Sequence, residues 1–141
     1  MARYALIQLK RVYETVEKAD GRRFLADRIW PRGVKKTELD YDEWLKDLCP
    51  SNSLRKAWHN NEINYRQFEK NYRKEISQHT ENLIKLAEEA ACYPVTLLSS
   101  VKDIEHSHLP ILRKAIIEQI EENEFNVSGP ASSPVCYSSE D

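Results

Sequence analysis

The sequence predicts an α/β layer fold around a small, mostly parallel sheet, and three observations carry that reading. Short segments rich in β-branched, aromatic and apolar residues occur near the start of the chain and again near residue 95. Between and after them, apolar residues recur at helical spacing. Only three glycines occur in 141 residues, too few for the many turns of an all-β design.

The first strand is read from YALIQLKRVY (Tyr4–Tyr13). The polar stretch ETVEKADGR follows, with Asp20-Gly21 as a turn signal. RFLADRIW (Arg23–Trp30) reads as a second strand. Its alternation puts Phe24, Ala26, Arg28 and Trp30 on one face and Leu25, Asp27 and Ile29 on the other. Pro31 removes a ladder donor and ends it. The short link between these strands suits a hairpin as well as a shortened crossover, since parallel crossovers usually need about a dozen residues. Parallel or antiparallel pairing of the first two strands is therefore open.

Asp40 with Glu43 has the spacing of a capping box and opens a short helix through Trp44, Leu45 and Leu48. Pro50 ends it, and Ser51 or Ser53 can cap the next helix, through Leu54 and Trp58. Tyr65, Phe68, Tyr72 and Ile76, then Leu83, Leu86 and Ala90, mark amphipathic helices over 63–78 and 80–91. YPVTLLSS (Tyr93–Ser100) is a continuous apolar run, as a strand buried on both faces requires. A last helix carries Leu109, Leu112, Ile116 and Ile120 on one face, with Pro110 in its first turn. From Glu121 the pattern dissolves into acids and then NVSGPASSPVCYSSED. The expected organisation is one domain over 1–122 and an acidic, disordered tail over 123–141.

The balance of 21 basic against 23 acidic residues gives no global attraction to nucleic acid or anionic membranes. Locally, six basic residues face one acid between Arg22 and Lys36, a pattern that suits either a solvated face or an anion-binding patch. The three cysteines, Cys49, Cys92 and Cys136, are widely spaced and form no CxxC pair. That excludes a sequence-evident zinc site or disulfide framework and suits a reducing compartment. No segment reads as a signal peptide or a membrane span, so a cytoplasmic location is expected.

In a parallel sheet, ligands sit beyond the carboxyl ends of the strands. Those ends carry Lys10 and Arg11, then Asp27, Arg28, Trp30 and Arg32, then Ser99, Ser100, Lys102 and Asp103, with His106 and His108 at a helix start. Guanidinium forks match carboxylate and phosphate geometry, and helix N-termini favour anions. The segment DRIWPRG is accordingly read as one wall of an anion pocket, with Trp30 as a stacking surface. The plainer alternative is that Arg28 pairs with an acid such as Asp103, while Trp30 is ordinary core. His106 or His108 could serve as a general acid or base beside Ser99 or Ser100. A Ser99–His106–Asp103 arrangement has no G-x-S-x-G elbow behind it. No metal site is expected, because adjacent-but-one histidines on a helix point apart. No Gly-rich phosphate loop and no cofactor signature is present.

KRVY (Lys10–Tyr13), DRIWPRG (Asp27–Gly33), DEWLKDLCPS (Asp42–Ser51), LRK (Leu54–Lys56), the Phe68/Tyr72 spacing and TLLSSVKDIEHSH (Thr96–His108) together resemble the YeaO-like family of uncharacterised bacterial proteins, a domain-of-unknown-function family. The resemblance covers Leu6 to Glu122. It implies a compact, three-layer Rossmann-like domain of the bacterial cytoplasm, and no established activity. Arg11, Asp27, Arg28, Trp30, Arg32, Arg55, Lys102, Asp103 and His106 stand where similar proteins carry the same residue types. After Arg55, family members often read KWFGHDP where this chain has KAWHNNE, so a mechanism needing that histidine does not transfer. More distant relatives carry cysteines that are missing here.

The expected function is binding or transforming a small anionic, phosphate- or carboxylate-bearing ligand. Arg11, Asp27, Arg28, Trp30, Arg32, Arg55 and Lys102 would bind it, and His106, Asp103 and Ser99 would handle protons. Two alternatives are a nucleic-acid-associated regulator using the Arg22–Lys36 run and a protein-partner-binding domain.

Overall fold

A computed structural model describes residues 7–126 of the chain. Four strands, β1 (Ile7–Arg11), β2 (Arg22–Leu25), β3 (Glu43–Trp44) and β4 (Val95–Ser99), form one sheet in the order β1-β4-β2-β3, with every neighbouring pair parallel. The last strand in sequence therefore lies between the first two. This settles their relation: they run parallel but are not neighbours, and the link between them crosses the end of β4 rather than turning a hairpin. All five residues of β4 are buried, as its unbroken apolar run requires.

The helices are α1 (Asn52–His59), α2 (Tyr65–Ile76), α3 (Thr80–Cys92) and α4 (Leu109–Asn126). Ser51 caps α1, its Oγ accepting from the Leu54 N–H. Asn64 and Gln67 form a reciprocal capping box at the start of α2. Phe68, Tyr72 and Ile76 of α2, Leu83 and Leu86 of α3, and Leu109, Leu112, Ile116 and Ile120 of α4 join Ile7, Phe24, Val95 and Leu97 in the main core on one face of the sheet. The opposite face holds a smaller core of Val12, Leu25, Leu39 and Leu98. Trp30, Val34, Tyr41 and Trp44 cover it, so irregular chain rather than helix forms the layer there.

Three expectations need correction. The segment Asp40–Leu48 is not a helix: it supplies the edge strand β3, followed by a 3-10 turn over Lys46–Leu48. The Asp42 N–H donates to the Arg23 carbonyl at 2.6 Å, and the Arg23 N–H donates back to the Asp42 carboxylate at 2.8 Å. These long-range bonds outweigh the local capping signal. The second strand ends at Leu25 rather than Trp30; after the Ala26 N–H donates to the Leu98 carbonyl, the backbone leaves the ladder. The strict alternation is lost with it, and Trp30 packs on the face of Leu25, not on that of Phe24 and Ala26. Finally, α4 continues through Asn126, so residues 123–126, assigned to the tail, are helical. The rest of the expected tail lies outside the described residues.

Beneath the loop that follows β1 is a buried ionic cluster. Asp20, fully buried, accepts from Lys10 Nζ at 3.0 Å and from the Arg23 guanidinium, and Lys10 and Arg23 are themselves buried. Gly21 takes a positive φ of 63° against the Pro94 carbonyl, where a Cβ would stand 2.2 Å from that oxygen; only glycine fits this approach to β4.

Candidate functional site at the carboxyl edge of the sheet

The carboxyl ends of β2 and β4 are joined by one side chain. The Asp27 carboxylate accepts from Ser99 Oγ at 2.6 Å, from the Ser100 N–H at 2.9 Å and from Ser100 Oγ at 2.8 Å. Its backbone carbonyl accepts from Trp44 Nε1 at 2.6 Å. Asp27 and Ser99 are buried. Asp27 is thus an internal acceptor that ties strand to strand, and the Ser99 proton is already committed to it. Ser99 Oγ also accepts from the Val101 N–H.

The arginines are held by carbonyls rather than acids. Arg28 donates to the Pro50 carbonyl at 3.0 Å and the Cys49 carbonyl at 3.3 Å, fixing the turn that leads into α1. Arg11 donates to the Val101 and Ser100 carbonyls at 2.8 and 3.5 Å. Arg55, on α1, donates to Asn52 Oδ1. All three are half-buried. Among the described residues none of them has a carboxylate within ion-pairing distance. The suggested Arg28–Asp103 pair is therefore absent, and Asp103 pairs with His106 Nδ1 at 2.9 Å instead. That pair is exposed on the turn before α4, and the hydrogen bond to His106 is the main reason the Asp103 carboxyl titrates below its ordinary range. Arg32 and Lys102 are exposed.

Cys49 lies beside this cluster as a buried free thiol. Burial, reinforced by the Asp27 charge, pushes it far above the thiolate range despite Arg28 and Arg55. It is no nucleophile at neutral pH.

Trp30 and Trp44 meet edge to face at 5.4 Å, and Trp30 Nε1 donates to the Val34 carbonyl. Lys46 lies over Trp44 at 4.2 Å and Lys36 over Trp30 at 5.6 Å. The basic run Arg22–Lys36 does not form one patch. Arg22 pairs with Glu89, Arg23 is buried on Asp20, and the remainder lies past the other end of β2.

His108, which the sequence offers beside His106 as a general acid or base, is the most buried histidine of this edge. Its Nε2–H donates to the Ala26 carbonyl, and it sits edge-on to Tyr72, whose hydroxyl donates to the Leu48 carbonyl. Its burial follows the helical spacing, since His108, just before α4, continues the buried stripe of Leu112 and Ile116 at four-residue steps. Burial holds the His108 imidazole below its usual value of 6.5, outweighing the Ala26 hydrogen bond and the Asp27 charge. A depressed folded value means that stability is complete above about pH 6.5 and declines as the pH falls through the folded value. The urea midpoint should therefore drop from neutral pH toward about pH 5, and this drop should be smaller in His108→Gln. A wild-type midpoint that stays flat across that window contradicts a buried neutral His108.

Arg11, Asp27, Arg28, Ser99 and Arg55 thus lie along one edge, linked through Ser100 and Cys49. Ser99 is buried under Asp27, His106 is exposed, and no hydrogen bond joins the two. Two clefts of the described surface, one beside β1 and one between α2, α3 and α4, are lined by neither Arg28, Arg55 nor His106. Among the described residues no group of three or more His, Cys, Asp or Glu side chains is placed to hold a metal. No helix there is long and apolar enough to cross a membrane.

Comparison with known proteins adds the family. Residues 6–138 match the family model DUF488-N3i, described as the inactive DUF488-N3 subclade. The chain is 46% identical over 106 residues to the uncharacterized protein YeaO of Escherichia coli, covering 75% of this chain and 92% of that one. It is 32% identical over 118 residues to uncharacterized proteins of Mycobacterium bovis and Mycobacterium tuberculosis, covering 82% of this chain and 98% of theirs. No solved structure matches it. The chain belongs to the DUF488-N3i family and is similar to the YeaO protein.

Proposed function

We propose that this chain is a binding domain rather than a catalyst, and that it holds a small phosphate- or carboxylate-bearing anion over the carboxyl edge of its sheet. The observation that carries the reading is the charge state of that edge. Arg11, Arg28 and Arg55 are half-buried, yet among the described residues all of their hydrogen-bond partners are neutral oxygens. A guanidinium partly withdrawn from water without a counter-charge favours an incoming anion. Binding without chemistry accords with the rest of the site: Ser99 is committed to Asp27, Cys49 is a protonated thiol, and the His106–Asp103 pair stands apart in solvent. The description of the matched subclade as inactive points the same way. The cytoplasm is the setting this reading assumes.

Arg55 is the residue to change, since among the described residues its side chain hydrogen-bonds only to Asn52, on its own helix. Inorganic phosphate at constant ionic strength should raise the thermal midpoint of the wild type. In Arg55→Gln the phosphate concentration needed should rise about tenfold, one charge-assisted contact being worth roughly 1.4 kcal/mol. Equal responses in the two proteins would overturn the assignment of Arg55. If duplex DNA binds instead, with affinity falling steeply as salt rises, the chain is a nucleic-acid-associated protein.

A further inference from the structure

A second binding place lies away from this edge, on the open side of β1. In the sheet order β1 is an outer strand, with β4 on one side only. Its alternate residues face opposite ways. The Val12 N–H just past its end donates to the Ser99 carbonyl, so the even-numbered positions face β4. The odd-numbered ones face outward, and two of the three are served by side chains. Glu14 Oε2 accepts from the Arg11 N–H at 2.9 Å, and Arg113 donates to the Ile7 carbonyl at 3.5 Å. Between them Leu9, half-buried, keeps both its outward N–H and its carbonyl without a partner among the described residues.

Leu9 borders a cleft of about 560 Å³, lined also by Gln8, Lys10, Tyr13, Glu14, Thr15 and Glu17. Its one cation, Lys10, is neutralised from behind by Asp20. Glu17, 3.9 Å from the same lysine, and Glu14 add two exposed carboxylates, so negative charge is in excess there. A strand edge with a donor and an acceptor free, flanked by acids, matches a particular kind of guest. We infer that this cleft takes a short extended peptide segment of a partner protein, which pairs with Leu9 through its backbone and places a lysine or arginine beside Glu14 and Glu17. The side chains of Glu14 and Arg113 close the two ends, so pairing is confined to one residue of β1 and the complex is weak and transient. The same closure keeps the edge from templating open-ended aggregation.

The test follows the backbone amide of Leu9 by NMR in the full chain. The probe is a synthetic blocked peptide, Thr-Lys-Val-Lys-Thr; controls are its glutamate-for-lysine counterpart and spermidine. The lysine peptide should shift the Leu9 amide saturably and slow its hydrogen exchange, while the glutamate peptide should bind at least about tenfold more weakly. In the double variant Glu14→Gln and Glu17→Gln, both hydrogen-bond acceptors remain and only the charges go. There the lysine peptide should lose about tenfold in affinity, with the urea midpoint unchanged. Three results overturn the inference. Leu9 does not respond to either peptide; spermidine alone reproduces the shift, so that the cleft is a polyamine site; or Leu9 becomes protected as the protein concentration rises, so that the partner is a second copy of this chain.

Discussion

Asp20→Asn is expected to lower stability by about 3–5 kcal/mol, read as a shift in the urea unfolding midpoint. Asp20 is fully buried, and so, nearly, are both of its cations, with Lys10 at 7% and Arg23 at 3% exposure. Removing its charge leaves buried Arg23 with no carboxylate and Lys10 with only the exposed Glu17 at 3.9 Å, a cost much larger than that of losing a surface pair. The backbone shares in this cluster. The Glu17 N–H donates to the Asp20 carboxylate at 3.1 Å, and Thr96 Oγ1 donates to its carbonyl at 2.8 Å, anchoring the crossover loop to β4. Desolvation alone would raise the carboxyl pKa. The Glu17 N–H, Lys10 and Arg23 outweigh it and hold the group below its ordinary value. The stabilisation is therefore fully present above about pH 4 and is lost as the pH falls through the folded value. Lys10→Met should cost less, because Asp20 keeps Arg23. If Asp20→Asn lay within about 1 kcal/mol of the wild type, the cluster would not be the buried tie described here.

Asp27→Ala should cost about 2–4 kcal/mol, since it leaves a buried hydroxyl and a backbone N–H unsatisfied, each worth roughly 1–3 kcal/mol. The groups are Ser99 Oγ and the Ser100 N–H; the Ser100 hydroxyl can turn to another acceptor. Asp27→Asn keeps one carboxamide oxygen as acceptor and should fall between the wild type and Asp27→Ala. This ordering separates a structural acceptor from a catalytic base. A base placed for chemistry could be replaced with little loss of stability, whereas this aspartate holds the ends of β2 and β4 together. Wild-type stability in Asp27→Ala would mean that water fills the position and that the edge is open.

What the sequence made legible follows from which signals are local. β4 announces itself as five successive buried residues, and α2, α3 and α4 by apolar stripes at helical spacing. These depend on burial against a single layer and can be read one window at a time. β3 could not be read this way. Its extended form comes from bonds to Arg23 and Leu25, some twenty positions earlier, against an Asp40/Glu43 pattern that locally favours a helix. The second strand was over-extended for the same reason: at Asp27 the side chain, not the backbone, reaches β4.

At the edge, the expectation that Arg11, Asp27, Arg28 and Ser99 share one side of the sheet follows from strand polarity, which a parallel fold enforces, whereas Arg55, on α1, is pointed to only by the family resemblance. The partners of those groups do not follow from it. Nothing near Arg28 in the sequence reveals that the Cys49 and Pro50 carbonyls will occupy it. Nothing near Ser99 reveals that an aspartate 72 positions earlier will take its proton. The polar residues were visible, and their mutual satisfaction was not. That difference separates the expected site, with chemistry assigned to Ser99, His106 and Asp103, from the binding edge that we propose.

The most direct test of that binding edge is an amide chemical-shift titration of the wild-type chain with inorganic phosphate at fixed ionic strength. Saturable shifts confined to Ser100, Val101 and the first turn of α1 around Asn52 and Arg55 are the predicted result. No saturable shift at these residues, or uniform small shifts over the whole surface, would contradict it and leave the arginines as purely structural clamps.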